Sequence, residues 1–380
     1  MEGTVYSGRL RKVREEMAKA GIDVLMISPS SNLFYLTGYG VHGDERLLLL
    51  VLPGEKAKTI GDMTSANSEP FILANLLYKE QVKSLPVKDF VIWKDGEDPF
   101  ALLSGELKKR KIPVKNAALE PLMPALFALP IEKSFPQTRF TLASFLTEGL
   151  RQFKDPAELD LMRRAGRASD EALAALITKG SYWIGRTETE FGEALAAELR
   201  QRGVVSFGAT VAAGENAAIP HYGIGNAVIE TGKCLLVDFW GTFEGYYTDC
   251  TRTFFFGKPD REFEKIYAIV LEAHLAAEAQ ARPGNTLEDV DKAARSVIEK
   301  HGFGEYFTHR TGHGIGIDVH EGVSVNTGVK IPIMPGMVFS IEPGIYFPGR
   351  FGVRIENLVI TGEKGPEPLH AYPRELTALE

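Results

Sequence analysis

Apolar positions in the first 145 residues follow two alternating spacings, which predict an α/β domain. Short, continuous apolar runs are typical of buried strands, and apolar residues three and four apart are typical of helices. The helical spacing of Leu10, Val13 and Met17 ends at Gly21, a C-cap signal. The spacings predict strands at 22–28, 45–53, 89–93 and 116–120, and helices at 8–20, 69–78 and 100–109. Such alternation indicates a sheet covered by helices.

A second domain is predicted from about residue 150 to residue 380, and its pattern is α+β. Asp155, Pro156 and Glu158 give a strong helix start, with the acid three residues after the cap. Further elements are predicted as helices at 187–202, 262–281 and 286–301, and as antiparallel strands at 234–240, 251–256, 336–342 and 353–360. The predicted organisation is therefore an N-terminal domain, 1–145, and a second domain, 150–380.

Composition narrows the class of protein. The chain is 44% hydrophobic and 24% charged, as globular enzymes are, and it has no apolar run of membrane-spanning length. A net charge of −7 argues against a nucleic-acid surface, and the N-terminus lacks a secretory apolar core. Only two cysteines occur, Cys234 and Cys250, which fits a reducing compartment. We expect a cytoplasmic protein with no membrane or nucleic-acid partner.

Four acidic residues interrupt or end apolar strands of the second domain. Asp238 lies inside "CLLVDFW", and Asp249 follows eleven residues later across a hairpin loop. Glu342 ends "GMVFSIE", and Glu356 interrupts "GVRIENLVI". Burying one carboxylate is costly unless it is paired, and a single example most often has an arginine or backbone amides as its partner. Four together favour a bound cation, which also relieves the repulsion between them.

The segment "HRTGHGIGIDVHE" (309–321) adds three of the eight histidines. His309 and His313 are four apart, but the glycines between them argue against a helix, so the helical zinc motif fits poorly. Oxygen ligands with one imidazole favour manganese, cobalt, iron or zinc in a catalytic role. Four carboxylates are more ligands than one divalent ion requires. They suit two ions that share bridging ligands.

Five separated segments together resemble the creatinase, aminopeptidase P and prolidase family. They are "PHYG" (220–223), "VDFWGTFEGYYTDCTRT" (237–253), "HRTGHGIGIDVHE" (309–321), "SIEPGIY" (340–346) and "GVRIEN" (352–357). The segments "SNLFYLTGY" and "PRELTAL" extend the resemblance to both ends. It implies an α/β creatinase-like N-terminal domain and an α+β pita-bread catalytic domain with a curved antiparallel sheet.

The resemblance also implies a dinuclear metal site. Its ligands would be Asp238, Asp249, His313, Glu342 and Glu356. In the family pattern, Asp249 and Glu356 bridge the two ions, Asp238 completes one, and His313 with Glu342 completes the other. Two divalent ions per subunit are therefore expected, with manganese as the first candidate and cobalt, zinc or iron as alternatives.

Further site residues follow from the same resemblance. His221 and His320 would face the substrate and hydrogen-bond the scissile carbonyl, and Glu342 would pass a proton to the leaving nitrogen. His309 would line the pocket near the leaving residue. Arg354 would hold the bridging Glu356 from behind.

The resemblance implies hydrolysis of the bond before proline, with proline-containing di- or oligopeptides as substrates. We expect a dipeptidase (prolidase), with an aminopeptidase P acting on longer peptides as the alternative and a non-catalytic pita-bread interaction protein as a more distant one. The "HExPR" pattern, whose arginine would grip a dipeptide's carboxylate, reads "HEGVSV" here. The "HERL" loop reads "GDERL", so that His42 and Arg46 are the candidate substrate contacts, reached across a homodimer.

Overall fold

The computed structural model describes residues 2–54 and 69–380, and the chain divides into two compact units, Met1–Arg151 and Gln152–Glu380. Helices of the first unit are α1 Glu2–Ala20, α2 Ser31–Thr37, α3 Lys79–Val82, α4 Pro99–Lys109, α5 Ala125–Ser134 and α6 Ser144–Arg151. Its strands are β1 Val24–Ile27, β2 Leu49–Pro53, β3 Phe71–Asn75, β4 Asp89–Trp93, β5 Asn116–Leu119 and β6 Arg139–Leu142.

The first unit contains one mixed sheet with the strand order β4-β3-β2-β1-β5-β6. β2 runs antiparallel to its neighbours β1 and β3, whereas the outer pairs are parallel. Every residue of β1, β2 and β3 is buried, so these strands form the core layer. The predicted α/β character of this unit is confirmed.

One predicted element of the first unit is wrong. The helix expected at 69–78 is strand β3, followed by a single 3₁₀ turn at Leu76–Tyr78. The segment "FILAN" is buried on both faces, so it has neither the alternation of a half-exposed strand nor a polar helical face. Periodicity cannot separate these two cases in a short apolar run.

The second unit begins with helices whose caps match the sequence signals. Its helices are α7 Pro156–Ile177, α8 Glu188–Gln201, α9 Arg261–Gln280 and α10 Leu287–Lys300. Asp155, Thr187 and Thr286 each cap a helix in a capping box, and the cap at Asp155 agrees with the predicted helix start. Across residues 2–54 and 69–380, no helix combines the length and apolar character needed to cross a bilayer.

Strands of the second unit fall into four small sheets. They are β7 Val204–Ala213, β8 Cys234–Phe243, β9 Tyr246–Phe256, β10 Gly312–His313, β11 Ser324–Val325, β12 Val338–Ile341, β13 Gly344–Phe347, β14 Phe351–Arg354, β15 Asn357–Gly362, β16 Gly365–Pro368 and β17 Thr377–Leu379. β7, β8 and β9 are antiparallel, and β17 joins β9 in parallel. Helices and antiparallel sheet thus coexist in this unit, which confirms its predicted α+β class.

The strand predicted at 353–360 is interrupted. β14 ends at Arg354 and pairs with β13, whereas β15 begins at Asn357 and pairs with β12. Ile355 and Glu356 lie between them, where the chain passes from one sheet to the other. Arg354 and Glu356 therefore do not lie on one continuous strand, although both line the same cavity.

Candidate metal centre

Two carboxylates of the centre come from the β8–β9 hairpin. In the strand register Asp238 lies opposite Thr251, and Asp249 lies opposite Trp240. Because side chains alternate along a strand, positions 238 and 240 of β8 face the same side as positions 249 and 251 of β9. Asp238 and Asp249 are therefore diagonal neighbours on one face, as their spacing predicts.

Three more residues bring further ligand atoms to this face. His313 Nε2 lies 3.7 Å from Asp249 Oδ2 and 3.3 Å from Glu342 Oε1. Ligand atoms of Asp249, His313 and Glu356 all lie within 4.8 Å of one another, and all three residues are buried. The structure thus gathers the five predicted ligands around one cavity, which all of them line.

Unpartnered carboxylate oxygens test whether this group suits a metal. Among the described residues, Asp238 Oδ1, Asp249 Oδ1 and Glu356 Oε1 are buried and accept no hydrogen bond. A buried ionised oxygen without a partner is strongly unfavourable. Divalent cations bind such hard oxygen donors together with imidazole nitrogen. The donor set and its unpartnered atoms therefore fit divalent metal ions.

The remaining oxygens of these ligands are held by neighbouring side chains. The Thr251 hydroxyl donates to Glu356 Oε2 at 2.7 Å, and the Ser340 hydroxyl donates to Glu342 Oε1 at 2.9 Å. Arg354 donates through Nη2 to Asp238 Oδ2 at 2.7 Å. Arg354 reaches Glu356 only indirectly, because its Nε donates to the Thr251 hydroxyl, which donates to Glu356, so its predicted support of Glu356 stays a prediction. Such outer contacts fix the orientation of a ligand.

Burial changes the acidity of the clustered groups. Burial, and then the charges of nearby carboxylates, raises the pKa of Asp249 and of Glu356 well above the usual range. Burial raises the pKa of Glu342 to about 7. Burial, followed by the neighbouring His320, lowers the pKa of His313 to about 3. A neutral His313 can bind a metal ion through its ring nitrogen.

The cavity has a volume of about 260 Å³. It is lined by Thr210, Pro220, His221, Asp238, Trp240, Asp249, His309, Arg310, His313, Val319, His320, Glu342, Arg354 and Glu356. His221 and His320 are exposed, and the His320 ring lies 4.1 Å from that of His313 between centroids. The two predicted carbonyl-binding histidines are therefore accessible at the same cavity as the ligands.

His309 is engaged on both ring nitrogens. Nδ1 lies 2.7 Å from the Arg310 carbonyl, which can only accept, so this nitrogen carries the proton. Burial, and then Arg354, lowers the pKa of His309 to about 4, so Nε2 is free to accept from the Tyr346 hydroxyl at 2.8 Å. Arg354 in turn donates to Tyr346. In this conformation His309 can contact a substrate only through its ring carbons, because both ring nitrogens are already hydrogen-bonded.

The remaining predicted contacts, His42 and Arg46, lie in the first unit. His42 is exposed. Arg46 is paired with Asp95, through Nε to Oδ1 at 3.1 Å, and also with Glu45. Their predicted role in substrate binding stays a prediction.

The glycines of the histidine segment permit close backbone packing. A Cβ on Gly312 would lie 1.9 Å from the Ser340 carbonyl oxygen, and one on Gly314 would lie 2.1 Å from the Glu321 carbonyl oxygen. Real Cβ atoms do not approach so closely, so only glycine fits at either position. The buried ion pair between Lys154 and Glu321, 3.0 Å long, further fixes the segment that carries His320.

Several residues of the centre had no role in the sequence-based prediction. Thr251, Ser340 and Tyr346 orient ligands or His309, and they carry no signal beyond their place near a motif. Arg310, within the histidine segment, also lines the cavity. Arg252 is buried on β9, and an arginine inside "TRTFFF" is a signal of the same kind as Asp238.

Comparison with known proteins assigns the family. Residues 160–363 match the model of metallopeptidase family M24, and residues 9–153 match that of the creatinase/prolidase N-terminal domain. The chain belongs to metallopeptidase family M24. It is therefore a metallo-exopeptidase of the pita-bread fold, and members of this family use divalent metals. The resemblance predicted from the five motifs is confirmed.

Three relatives illustrate the range of similar proteins. The chain is 38% identical to the probable dipeptidase PepE of Mycobacterium tuberculosis, covering 99% of this chain and 97% of the relative. It is similar to the structure of a prolidase from Thermococcus sibiricus, with 33% identity, a TM-score of 0.90 and coverage of 98% and 99%. An X-Pro aminopeptidase structure from Thermotoga maritima has 28% identity, a TM-score of 0.83 and coverage of 97% and 99%.

We expect the metal-stripped protein to lose thermal stability as the pH rises from about 6.5 to about 8, because at lower pH the buried histidines, whose pKa values are lowered, act in the opposite direction. Folding raises the pKa of Asp249, Glu356 and Glu342 above their unfolded values of about 4, so their protonated forms favour the folded state at low pH. That contribution is lost as the pH passes the folded pKa, about 7 for Glu342. Metal binding requires the deprotonated ligands, so the melting temperature gained with Mn²⁺ should grow over the same range.

Scanning calorimetry of chelator-treated protein at pH 5, 6, 7 and 8, with and without added Mn²⁺, measures both effects. Glu262→Gln, a change in an exposed ion pair with Arg350, is the control and should follow the wild type. A gain in melting temperature on Mn²⁺ addition that does not vary with pH would contradict the prediction.

Proposed function

We propose that this protein is an Xaa-Pro dipeptidase with two divalent metal ions per subunit. The convergence of Asp238, Asp249, His313, Glu342 and Glu356 on one cavity supports this proposal most strongly. Asp249 and Glu356 are the proposed bridging ligands. Both are buried, and each has one oxygen without a hydrogen bond from the described residues, as a second metal contact would require.

Bound divalent ions at these ligands would lower the pKa of a water and so supply the nucleophile for peptide hydrolysis. The protein's own side chains would bind the substrate and transfer the proton. His221 and His320 are proposed to hydrogen-bond the scissile carbonyl, where negative charge develops. Glu342 is proposed to carry the proton to the leaving nitrogen, a role that is supported by its position in the cavity, 3.3 Å from His313 Nε2.

The preference for dipeptides is supported by the similarity to the PepE and prolidase sequences. An aminopeptidase acting on longer Xaa-Pro peptides is the second candidate, because the "HEGVSV" segment lacks the arginine of the "HExPR" pattern. A non-catalytic interaction protein is disfavoured, because such a protein has no need to keep five ligands at one cavity.

Finer properties are proposed together with this activity. We infer manganese as the physiological ion, because a carboxylate-rich site suits hard cations. We infer a homodimer, in which His42 and Arg46 of one subunit serve the site of its partner. A cytoplasmic location is proposed from the free and buried Cys234 and Cys250.

Hydrolysis of Ala-Pro and of Ala-Pro-Ala by chelator-stripped protein, with Mn²⁺, Co²⁺ or Zn²⁺ added, tests the function. We expect Ala-Pro to be cleaved much faster than Ala-Pro-Ala, with about two ions bound per chain. Ala-Ala serves as the control for the proline requirement. Faster cleavage of the tripeptide would favour the aminopeptidase. Fewer than one ion per folded chain and no cleavage with any ion would favour the non-catalytic alternative.

A further inference from the structure

Two arginines line the cavity, and only one of them has hydrogen-bond partners for its guanidinium. Arg354 is buried and donates to Asp238, Thr251 and Tyr346. Arg310 also lines the cavity and is partly exposed, but no hydrogen bond or ion pair joins its guanidinium to any side chain or carbonyl of the described residues. A guanidinium that lines a cavity and has no partner among the described residues can bind an anionic ligand.

The charge of Arg310 affects His320, one of the two proposed carbonyl-binding histidines. Burial, and then the charge of Arg310, lowers the pKa of the His320 imidazole. Arg310 is also directly adjacent to His309, which lines the same cavity and is held by Tyr346. Arg310 therefore lines the same cavity as the proposed carbonyl-binding residue His320 and as His309.

We propose that Arg310 binds the free carboxylate of the proline residue in an Xaa-Pro dipeptide and thereby gives the enzyme its selectivity for dipeptides. The inference rests on the proposed function. In a dipeptide the carboxylate belongs to the residue whose nitrogen is released, so it lies within about 3.8 Å, one residue length, of the scissile bond. A planar guanidinium can bind this carboxylate through two parallel hydrogen bonds. Arg310 would then replace the arginine that "HEGVSV" lacks.

Steady-state kinetics of the Mn²⁺-loaded enzyme on Ala-Pro and on Ala-Pro-amide test the proposal. For Arg310→Met we expect kcat/KM on Ala-Pro to fall about 10²-fold, mostly through KM, while the value for the amide falls less than about threefold. Arg310→Lys keeps the charge without the paired geometry and should lose about tenfold. Arg167→Met, a change at an exposed arginine of α7, is the matched control and should leave both substrates unaffected.

Calorimetric binding of L-proline and L-prolinamide to the same metal-loaded proteins gives a readout that does not need turnover. Arg310→Met should weaken L-proline binding selectively. Equal losses on Ala-Pro and its amide, or no loss on either, would overturn the inference. So would a selective loss in Arg46→Met together with normal behaviour of Arg310→Met. If the wild type cleaves no Xaa-Pro substrate, the proposed function fails, whereas wild-type cleavage with an unaffected Arg310→Met sinks the inference alone.

Discussion

Glu356→Gln should abolish nearly all peptidase activity and remove at least one metal ion per chain. We expect kcat/KM on Ala-Pro to fall by at least about 10³-fold, because losing an outer partner of a ligand already costs about 10–100-fold. Glutamine has the same shape and can still accept from the Thr251 hydroxyl, which now donates to Glu356 at 2.7 Å, so the fold should persist. Metal content by mass spectrometry and kinetics on one preparation measure both effects.

In the metal-free protein the same substitution should have the opposite effect and raise the melting temperature. Glu356 Oε1 is buried and has no hydrogen-bond partner among the described residues, so its charge destabilises the stripped protein. At pH 8 the stripped Glu356→Gln variant should therefore melt at a higher temperature than the stripped wild type, while the order reverses with Mn²⁺ present. Thr251→Val keeps the ligand and should cost only about 10–100-fold in activity. Full turnover with both metals bound in Glu356→Gln would show that the ligand assignment is wrong.

The four carboxylates among the predicted metal ligands stand out in the sequence because their residue type conflicts with their apolar surroundings. Asp238 in an apolar strand has no explanation in local structure, and neither does Glu356 in "GVRIENLVI". The caps of α7 and α8 were predictable for a different reason, since the hydrogen bonds of a capping box join residues three apart. Both kinds of signal lie within a few residues of the feature that they predict.

Other features depend on distant parts of the chain, and these were missed. β3 is a strand because it pairs with β2 and β4 on either side. The sequence "FILAN" alone contains no information about these neighbours. Arg354 pairs directly with Asp238. Its position depends on where β14 ends, because β14 pairs with β13 whereas β15 pairs with β12 in a different sheet. Hydroxyl and phenol groups such as Thr251 and Tyr346 are common in strands, so only the assembled site reveals their contacts.

Arg252 shows that the conflict between residue type and surroundings also marks structural residues. It is 1% exposed on β9, yet it contributes no ligand atom. Nε donates to the Pro373 carbonyl at 2.9 Å, and Nη2 donates to Asn357 Oδ1 and to the Tyr372 carbonyl, both at 2.8 Å. Nη1 donates to the Glu356 carbonyl. One guanidinium thus joins β9, the start of β15 and the C-terminal segment immediately behind the metal centre.

We expect Arg252→Met to lower the free energy of unfolding by about 3–5 kcal/mol, because it leaves the buried Glu356 carbonyl and Asn357 Oδ1 without this donor and also removes the bonds to the part-buried Pro373 and Tyr372 carbonyls. Arg252→Lys should rescue little, since an ammonium cannot reproduce the planar set of donors. Arg163→Met, which breaks an exposed ion pair with Glu367, is the control and should cost at most about 1 kcal/mol. Urea denaturation of the metal-stripped proteins isolates this effect from metal binding. If Arg252→Met unfolds at the same urea concentration as Arg163→Met, the guanidinium does not stabilise the fold behind the metal centre.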